Sequence, residues 1–540
     1  MDPRIFYAIG IFVAFIAIFS VGAYFLFGDQ ISALLSGNVG ILTPKELINR
    51  NTTGLSLISS GLEEVNLSDG ESYSLTASSV AKIIDGRRVR MYSYNNQIPG
   101  PVLRVKQNST IYVNFTNNLD VDSTMHWHGI RLENKYDGVP DLTQPTVKPG
   151  KSFVYKVNFP DEGMYWYHPH VQEDQQQDLG LYGVIMVDPA NSSYYNPVNY
   201  EQILVLDDVL LKDRDFYPFY KNTTNFAMMG RFGNTMLING KREFNMAVKK
   251  SEIVRFFVLN AANTRTFNLS INGVPLKMVG SDGGKYESEF FANSTILGPS
   301  ERYIFEAQFT EPGEYEIVNT NPISKYVLGK ISVHGQEGIP AQSNFTTLKS
   351  NPEIIAKIDS YRQYFAGPDD FTYTLTAFAK PMQTPGVKME SMESGKSGSS
   401  MRTITTGPTG IEWEDPEPDV NAMSTNSFFS WIIRDKATGK QNMQIKQQVK
   451  KNQVIKIKIE SEKNPFDTMQ HPIHIHGAQF LVLKTNGVQN NNLVWKDTVL
   501  VPAGGSVEIL TYFPNEGEWM MHCHIAEHLS SGMMTSFVVK

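Results

Sequence analysis

Short runs of alternating hydrophobic and polar residues, separated by turn residues, begin at about residue 71 of this chain. Clear examples lie at residues 103–105, 111–115 and 153–157, and a further run over residues 183–188 stops at Pro189. Successive side chains on a strand point to opposite faces, so this pattern predicts strands. Many short strands at this spacing are typical of a β-sandwich. We therefore predict a first all-β domain over residues 71–190.

The same pattern predicts two more β-domains, over residues 191–336 and 371–540, joined by a proline-containing linker over residues 337–370. In the second domain, the dipeptides Asn239-Gly240 and Asn272-Gly273 favour hairpin turns. The third domain is interrupted over about residues 380–426 by a stretch rich in Gly, Ser, Thr, Met and Pro, which is too long for an ordinary loop. The fold class is thus all-β, with three consecutive sandwiches.

The N-terminus does not follow this pattern. Residues 5–27 carry no charge, which matches the roughly 20 apolar residues that span a bilayer as a helix. Arg4 precedes this segment and Asp29 follows it, so the positive-inside rule places the rest of the chain outside the cytoplasm. We expect a transmembrane helix within residues 1–28, a stalk over residues 29–70, and a folded body at the cell surface or in the periplasm. The alternative is a cleaved signal peptide and a secreted protein.

Composition excludes some classes of function. With 540 residues and 19% charged residues, the chain is long enough for several domains with their own cores. The formal charge is −7, and no basic stripe with interleaved aromatic residues is present, so we expect no nucleic-acid partner. The single cysteine, Cys523, leaves no possibility of a disulfide within the chain.

Ten of the 11 histidines fall in four short clusters, and each cluster contains a His-x-His pair. On a strand, residues i and i+2 share a face, so four such pairs can direct eight imidazoles towards one space. A single pair is more often an ordinary polar pair on a surface strand, but four pairs make that interpretation improbable. The pairs are His126 and His128, His168 and His170, His474 and His476, and His522 and His524.

Three potential metal ligands remain outside those pairs: His471, Cys523 and His528. Two histidines and one cysteine, with a weak axial thioether, are the ligands of a blue copper site, and Met533 is placed to supply the thioether. If residues 522–524 are extended, the thiol of Cys523 points away from the two imidazoles beside it. This arrangement suits a copper centre that is joined to a second metal centre through a few covalent bonds.

These motifs resemble the copper-binding motifs of three-domain multicopper oxidases, the family of laccases, ascorbate oxidase and bacterial cuprous oxidases. The similarity spans about residues 71–540 and includes supporting matches in each domain. The resemblance implies cupredoxin-like Greek-key domains and four bound copper ions. The motifs are His126-Trp127-His128-Gly129, Trp166-Tyr167-His168-Pro169-His170, His471 to Gly477 and His522 to Met533, with Pro99-Gly100-Pro101, Ser281-Asp282-Gly283-Gly284 and Trp495-Lys496-Asp497-Thr498 in support.

The resemblance also implies which residues bind each copper ion. A type 1 copper is implied at His471, Cys523, His528 and Met533, and a type 2 copper at His126 and His474. The middle domain then supplies no ligand and acts as a spacer and as a wall of the substrate site. The type 3 pair is implied at His128, His168, His170, His476, His522 and His524.

Two aspartates match acids of the family. Asp137 matches an acid that lies near the oxygen-reducing cluster, although an aspartate before Gly138 is also a common turn residue. Asp497 matches a residue near a type 1 histidine, where it would orient His471 or accept a proton from a phenol; the alternative is a structural aspartate at a strand end. A second acid of the family is missing, because Ala526 and Leu529 occupy its two usual positions and Glu527 is shifted by one.

The function implied is an oxidase that takes single electrons from a reducing substrate, phenolic or aromatic as in laccases, and reduces dioxygen to water. The alternative is oxidation of Cu(I) or another low-valent metal ion, because the insert contains several methionines and thioethers bind Cu(I). A flexible, methionine-containing surface loop is the simpler interpretation of the insert. A non-enzymatic electron-transfer protein or a nitrite reductase would leave most of the histidines unexplained. The methionines are Met382, Met389, Met392, Met401 and Met423, and nearby acids are Glu390, Glu393, Glu412 and Glu414.

Overall fold

The computed structural model of the chain describes residues 46–59, 61–379, 409–462, 467 and 469–540. The transmembrane helix predicted over residues 5–27, the first part of the stalk and most of the methionine-rich insert lie outside these ranges. Within them, no helix has the length and hydrophobicity needed to cross a membrane.

The first domain contains two five-stranded sheets, with orders β1-β3-β6-β8, where β4 pairs with β3, and β2-β5-β10-β9-β7. In β6, the buried residues Ile111, Val113 and Phe115 alternate with more exposed ones, as the hydrophobic pattern predicts. The stalk predicted up to residue 70 differs, because β1 and β2 pair with β3 and β5 and are part of the sheets. The strands are β1 (Leu57–Ile58), β2 (Glu64–Asn66), β3 (Ser72–Ile84), β4 (Arg87–Tyr94), β5 (Gly100–Lys106), β6 (Thr110–Asn118), β7 (His126–His128), β8 (Lys151–Asn158), β9 (Gly163–His168) and β10 (Gly183–Asp188).

The second domain pairs a six-stranded sheet, β14-β11-β16-β21-β18-β19, with a five-stranded sheet, β15-β23-β22-β17-β20. Strand β16 is buried along its whole length, which explains its continuous hydrophobic run. The strands are β11 (Tyr200–Val209), β12 (Leu211–Lys212), β13 (Asp215–Phe216), β14 (Thr235–Ile238), β15 (Phe244–Lys250), β16 (Ile253–Asn260), β17 (Phe267–Ile271), β18 (Leu276–Ser281), β19 (Gly284–Ala292), β20 (Thr295–Leu297), β21 (Arg302–Gln308), β22 (Gly313–Thr320) and β23 (Lys325–Glu337).

The two Asn-Gly turns are tight turns but not hairpins, contrary to the prediction. The turn at Asn239-Gly240 follows β14, which pairs with β11, whereas the next strand, β15, lies in the other sheet. The turn at Asn272-Gly273 likewise connects β17 and β18, which belong to different sheets. The residue pattern specifies the local turn geometry. It does not specify which strands pair on either side of the turn.

The third domain has a seven-stranded sheet, β25-β24-β27-β33-β29-β30 with β31 on β29, and a five-stranded sheet, β26-β35-β34-β28-β32. The strands are β24 (Phe371–Ala379), β25 (Phe429–Asp435), β26 (Lys446–Val449), β27 (Ile455–Ser461), β28 (His471–Ile475), β29 (Gln479–Thr485), β30 (Val488–Gln489), β31 (Trp495–Lys496), β32 (Thr498–Val501), β33 (Ser506–Tyr512), β34 (Gly517–Cys523) and β35 (Met534–Val539).

Helices are few and short in the described ranges. Ile354 and Ile358 of the helix in the predicted linker pack against leucines of the third domain, so this linker is docked on that domain. The α-helices are α1 (Glu173–Gln176), α2 (Pro352–Asp359), α3 (Pro418–Met423) and α4 (Ala526–Ser530), and the 3-10 helices are Asn134–Tyr136, Arg362–Tyr364 and Asn442–Gln444.

The first and third domains contact each other directly. The side chain of Asn134 donates a hydrogen bond to the backbone carbonyl of Glu518 in β34 (2.7 Å), and Asn515 donates to the carbonyl of Leu132 (2.9 Å). These bonds fix β34, which ends in His522 and Cys523, against the domain that contains β7 and β9. Residues 517–540, at the C-terminal end of the chain, thus contact a domain that lies about 400 residues earlier in the sequence.

Candidate metal centres

The four His-x-His pairs meet between the first and third domains. Strands β7 and β9 pair so that His126 lies opposite His168, and β28 and β34 pair so that His474 lies opposite His522. All eight histidines are buried, the most exposed being His170 at 8%. The structure therefore brings the eight imidazoles together as predicted, although His170, His476 and His524 lie just beyond the ends of β9, β28 and β34 and not on the strands.

The eight side chains divide into groups whose ring nitrogens approach one another within 4.8 Å. Two of these groups consist of three histidines each and have no residue in common. His128, His168 and His524 form the first triad, and His170, His476 and His522 form the second. The remaining two, His126 and His474, lie together beside His128. In the second triad, the Nε2 atoms of His476 and His522 are only 3.0 Å apart, so both rings point to the same place.

The hydrogen bonds of these rings fit metal binding. In His126, His168 and His474, Nδ1 is 2.8–2.9 Å from a backbone carbonyl, while the buried Nε2 has no hydrogen-bond partner among the described residues. A metal-ligating histidine typically donates its other N–H in this way. Burial and neighbouring imidazoles hold the pKa of His168, His474 and His476 well below the usual value, so these rings stay neutral and able to bind a cation.

Asp137 lies against two of these histidines. Its Oδ2 atom is 2.8 Å from Nδ1 of His476, and its backbone carbonyl is 2.8 Å from Nδ1 of His126. Its other carboxylate oxygen, Oδ1, is buried, lies 3.3 Å from Nδ1 of His126 and has no hydrogen-bond partner in the part of the chain that is described. The side chain is therefore placed beside the histidine cluster and is more than a turn residue before Gly138.

Asp497 is not where the sequence interpretation expected it. Rather than approaching His471, its Oδ1 atom lies 3.0 Å from Nε2 of His128, and its backbone carbonyl lies 2.8 Å from Nδ1 of His474. Residue 497 directly precedes β32, and the β28–β32 pairing places its backbone near His474 and away from His471. The carboxylate that contacts His471 is Asp467, whose Oδ1 is 3.1 Å from Nε2.

A separate group of ligands lies in the third domain. The Sγ atom of Cys523 is 3.6 Å from Nδ1 of His471 and 3.7 Å from Nδ1 of His528, and all three residues are fully buried. Burial raises the pKa of the Cys523 thiol far above its usual value, so a bound cation is needed to stabilise the thiolate. Met533 is buried in the same core, and its backbone carbonyl accepts the N–H of Cys523 at 3.1 Å. These donors suit a blue copper site.

Aromatic side chains enclose both centres. The Trp431 ring stacks on His528 with centroids 3.8 Å apart and meets His471 edge-on at 5.0 Å. The Trp166 ring stacks on His168 at 4.2 Å. These rings restrict the orientation of the imidazole planes.

Glu527 faces the second domain and not the histidine cluster. Its oxygens lie 3.4 Å from the amide of Asn263 and 3.1 Å from the hydroxyl of Thr264. A further acid that approaches the cluster, besides Asp137 and Asp497, is Glu173 in α1, whose Oε1 is 2.8 Å from Nδ1 of His170. Burial raises the pKa of both carboxyls, Glu173 and Glu527, to about 7.

Sequence reasoning missed four residues at these centres. Glu173 follows His170 by three positions and Asp467 precedes His471 by four, so a search for acids close to each histidine finds both. Trp431 and Arg302, which contacts Asp497, lie far from any histidine motif, and no local signal identifies them.

Comparison with known proteins agrees with this geometry. Models described as multicopper oxidase match residues 76–192, 207–337 and 397–540. The chain is 25% identical over 448 residues to a multicopper oxidase of Staphylococcus aureus, a match that covers 82% of each chain. It has the fold of a laccase-like multicopper oxidase from Ochrobactrum sp. (TM-score 0.67, 22% identity, 89% of this chain and 100% of that one).

It also has the fold of a multicopper oxidase from Campylobacter jejuni described as a metallo-oxidase (TM-score 0.65, 21% identity, 91% of this chain and 99% of that one). The three matched regions together cover most of the chain, follow the order of its three β-domains and contain every histidine of the two centres. This chain belongs to the multicopper oxidases, a family of copper-dependent oxidoreductases.

Proposed function

We propose that this chain couples the one-electron oxidation of a reducing substrate to the four-electron reduction of dioxygen to water. The observation that carries the proposal is the position of Cys523. Its thiol lies between His471 and His528, while the flanking residues, His522 and His524, belong to the two different histidine triads. A short covalent path therefore connects the proposed one-electron centre with the histidine cluster that would hold several metal ions.

Four copper ions fit the proposed ligand groups. The fit rests on the unpartnered ring nitrogens, on the convergence of each group and on the preference of copper for thiolate and imidazole. When bound, copper supplies the one-electron transfer and the dioxygen chemistry. The proposed ligands are His471, Cys523, His528 and Met533 for type 1, His126 and His474 for type 2, and His128, His168, His170, His476, His522 and His524 for the type 3 pair.

The protein's own groups orient the histidines and handle protons. Asp137 holds His476 through Oδ2 and keeps Oδ1 free to hold a proton beside the cluster. Asp497 fixes His128 through Nε2. The aromatic rings of Trp166 and Trp431 restrict the orientation of the imidazole planes beside them.

Oxygen consumption by the copper-loaded full chain tests the proposal. Phenols, Cu(I), Fe(II) and Mn(II) are supplied one at a time in an oxygen electrode, with copper-free protein as the control. The expected result is uptake of one dioxygen for every four electrons taken from the donor, without accumulation of hydrogen peroxide. Copper-loaded protein that consumes no oxygen with any donor would contradict the proposal.

For the donor, we propose a phenolic or aromatic reductant, with low-valent metal ions as the second candidate. The laccase-like Ochrobactrum protein has oxidase activity towards lignin model compounds, and the Campylobacter protein is a metallo-oxidase. One observation in this chain favours a metal ion. Asp467, buried at the edge of His471, supplies a carboxylate at the proposed electron entry, and an anionic group attracts cationic donors.

Asp467→Asn distinguishes the two donor classes. The amide has the same shape but no charge, so with a metal-ion donor we expect kcat/KM to fall about tenfold relative to the value for a neutral phenol. If the carboxylate instead accepts the proton of a phenol, the phenol activity falls and the metal-ion activity is retained. A variant with both activities unchanged would remove Asp467 from the donor site. Asp369→Asn, an acid of the adjoining linker that contacts Lys456 of the third domain, is the control.

We propose that the folded body lies outside the cytoplasm and is held at the membrane by residues 5–27. This proposal is supported by the uncharged segment and by the charge on either side of it. Cell fractionation of the full chain and of a variant lacking residues 1–28 tests it. We expect the full chain in the membrane pellet and accessible to added protease from outside; recovery of the full chain as an untruncated soluble protein would contradict an anchor.

A further inference from the structure

We propose that the second domain, which supplies no proposed metal ligand, positions one. In this inference, which rests on the proposed function, Arg302 and Asp282 form a clamp that holds the carboxylate of Asp497 against His128. Arg302 is thus a positioning residue for the oxygen-reducing cluster, and the second domain is part of the cluster's scaffold as well as a spacer.

Arg302 holds Asp497 with both arms of its guanidinium. Its Nη1 and Nη2 atoms lie 2.6 Å from Oδ1 and 2.5 Å from Oδ2 of Asp497, and both side chains are fully buried. Its Nε atom donates to the carbonyl of Met164 in the first domain at 3.0 Å. One side chain of the second domain therefore joins the first and third domains at the edge of the histidine cluster. Bidentate pairs of this kind fix the orientation of a carboxylate.

Asp282 fixes the other side of the clamp. Its Oδ1 accepts the backbone N–H of Arg302 at 2.8 Å, and its Oδ2 lies 3.3 Å from the backbone nitrogen of Asp497 and 3.2 Å from Nζ of Lys496. The backbone of Asp497 and the guanidinium that binds its side chain are thus held by the same residue. Asp282 of the segment Ser281-Asp282-Gly283-Gly284 thus connects the second domain to the third beside the histidine cluster.

The clamped carboxylate contacts His128 in an unusual way. His128 uses Nε2 for its protein contacts, to Oδ1 of Asp497 and to the hydroxyl of Thr498, both at 3.0 Å, and its buried Nδ1 has no hydrogen-bond partner among the described residues. His126, His168 and His474 use the opposite nitrogen, Nδ1. His128 must therefore carry its proton on Nε2 to offer Nδ1 to a metal, and the carboxylate at Nε2 selects this tautomer.

The residue after His128 leaves room for the clamp. Gly129 has φ +86°, and a Cβ atom at this position would overlap Oδ2 of Asp497 and lie 3.1 Å from Nη2 of Arg302. Any side chain at this position would push the ion pair away from the cluster. The glycine of His126-Trp127-His128-Gly129 thus allows the second domain's arginine to reach the strand that contains the histidines.

If the ion pair between Arg302 and Asp497 only joined the domains, its loss would have different effects from the loss of a clamp. Loss of a joining pair lowers thermal stability and leaves the copper signals of the folded protein unchanged. Loss of the clamp changes the signals of the cluster, because Asp497 contacts His128 and His474, but not the blue absorption, because it contacts none of His471, Cys523 and His528.

The test compares Arg302→Met and Arg302→Lys with Arg255→Met in the copper-loaded full chain. Arg255 is a matched control: it is a buried arginine of the second domain, paired with Glu306 and Glu201, without contact to a histidine. For Arg302→Met we expect an intact blue absorption, a changed type 2 electron paramagnetic resonance spectrum, weaker near-ultraviolet absorption of the coupled copper ions, and reoxidation by dioxygen slowed about 10- to 100-fold. Lysine keeps the charge but not the bidentate geometry, so Arg302→Lys should give a smaller shift of the same signals.

The inference would be overturned if the folded Arg302→Met variant had unchanged cluster spectra and only a lower melting temperature, like that of Arg255→Met. If Arg302→Met does not fold, Arg302→Lys decides: a resonance spectrum identical to that of the wild type overturns the clamp, and a shifted one supports it. A wild-type protein that binds copper without coupled-copper absorption or oxygen uptake would overturn the proposed function itself. If instead the wild type has coupled-copper absorption and oxygen uptake, and the variants have the same signals as the wild type, the clamp alone is overturned.

Discussion

Replacing Cys523 with serine is expected to abolish donor-driven oxygen uptake by the copper-loaded protein and to remove its blue absorption. Cys523 is the only cysteine of the chain, so no other thiolate can take its place. A serine hydroxyl is a hard and protonated donor, which copper binds poorly in comparison with thiolate. Stopped-flow reduction of the variant by a phenol or by Cu(I), followed by oxygen consumption, measures the effect.

The variant should keep its fold and its histidine cluster. Serine is close to cysteine in shape, and its hydroxyl can accept the N–H of Ile525, which lies 3.5 Å from Sγ. The near-ultraviolet absorption of the coupled copper ions should therefore persist when the blue absorption is lost. Met521→Leu, two residues earlier in β34 and buried in the same core, is the packing control. Retention of donor oxidation by a folded Cys523→Ser variant would show that electrons enter elsewhere.

Much of the fold follows from local pattern. The runs at residues 111–115 and 153–157 form β6 and β8, and the continuous hydrophobic run at residues 253–258 forms β16. Alternation indicates that one face of a strand is buried, whereas continuous hydrophobicity indicates that both faces are buried. The pairing of strands does not follow in the same way. The Asn-Gly turns connect strands of different sheets, since pairing depends on the packing of the whole domain.

At the metal centres, too, some features follow from local sequence pattern and others depend on the packing of the domains. The i and i+2 geometry of a strand makes His126 and His128 share a face, so spacing alone brings the two imidazoles of this pair together. The groups that orient them come from distant parts of the chain. His128 depends on Asp497, 369 residues later, and Asp497 depends on Arg302, 195 residues earlier. Contacts of this kind arise from domain packing, which no local pattern records.

This also explains the misplacement of Asp497. Two aspartates of the third domain contact histidine ligands from very different distances in sequence: Asp467 is four residues before His471, and Asp497 is 23 residues after His474. Only the pairing of β28 with β32 shows that Asp497 lies beside His474. Among the described residues, Asp467 is the carboxylate at the proposed electron entry, and Asp137, Asp497 and Glu173 contact histidines of the cluster.

Replacing Asp137 with asparagine is expected to leave the copper content unchanged and to slow reoxidation by dioxygen about 10- to 100-fold. The amide oxygen can still accept the N–H of His476, and the backbone carbonyl that contacts His126 is unaffected, so the ligands stay in place. An amide cannot take up and release a proton at the position of Oδ1, which is the atom of Asp137 without a hydrogen-bond partner among the described residues. Proton supply, and not metal binding, is therefore the step affected.

Single-turnover kinetics separate these two steps. Reduction of the variant by the donor should proceed at the wild-type rate, because Asp137 contacts none of His471, Cys523 and His528, while the second phase, started by mixing with dioxygen, should be slow. Asp161→Asn is the matched control, since Asp161 is a carboxylate of the same domain held by Arg131 and away from the histidines. Reoxidation of Asp137→Asn at the wild-type rate would remove Asp137 from proton transfer. Among the described residues, the buried Glu173 beside His170 would then be the carboxyl that contacts a proposed type 3 ligand without being paired with an arginine.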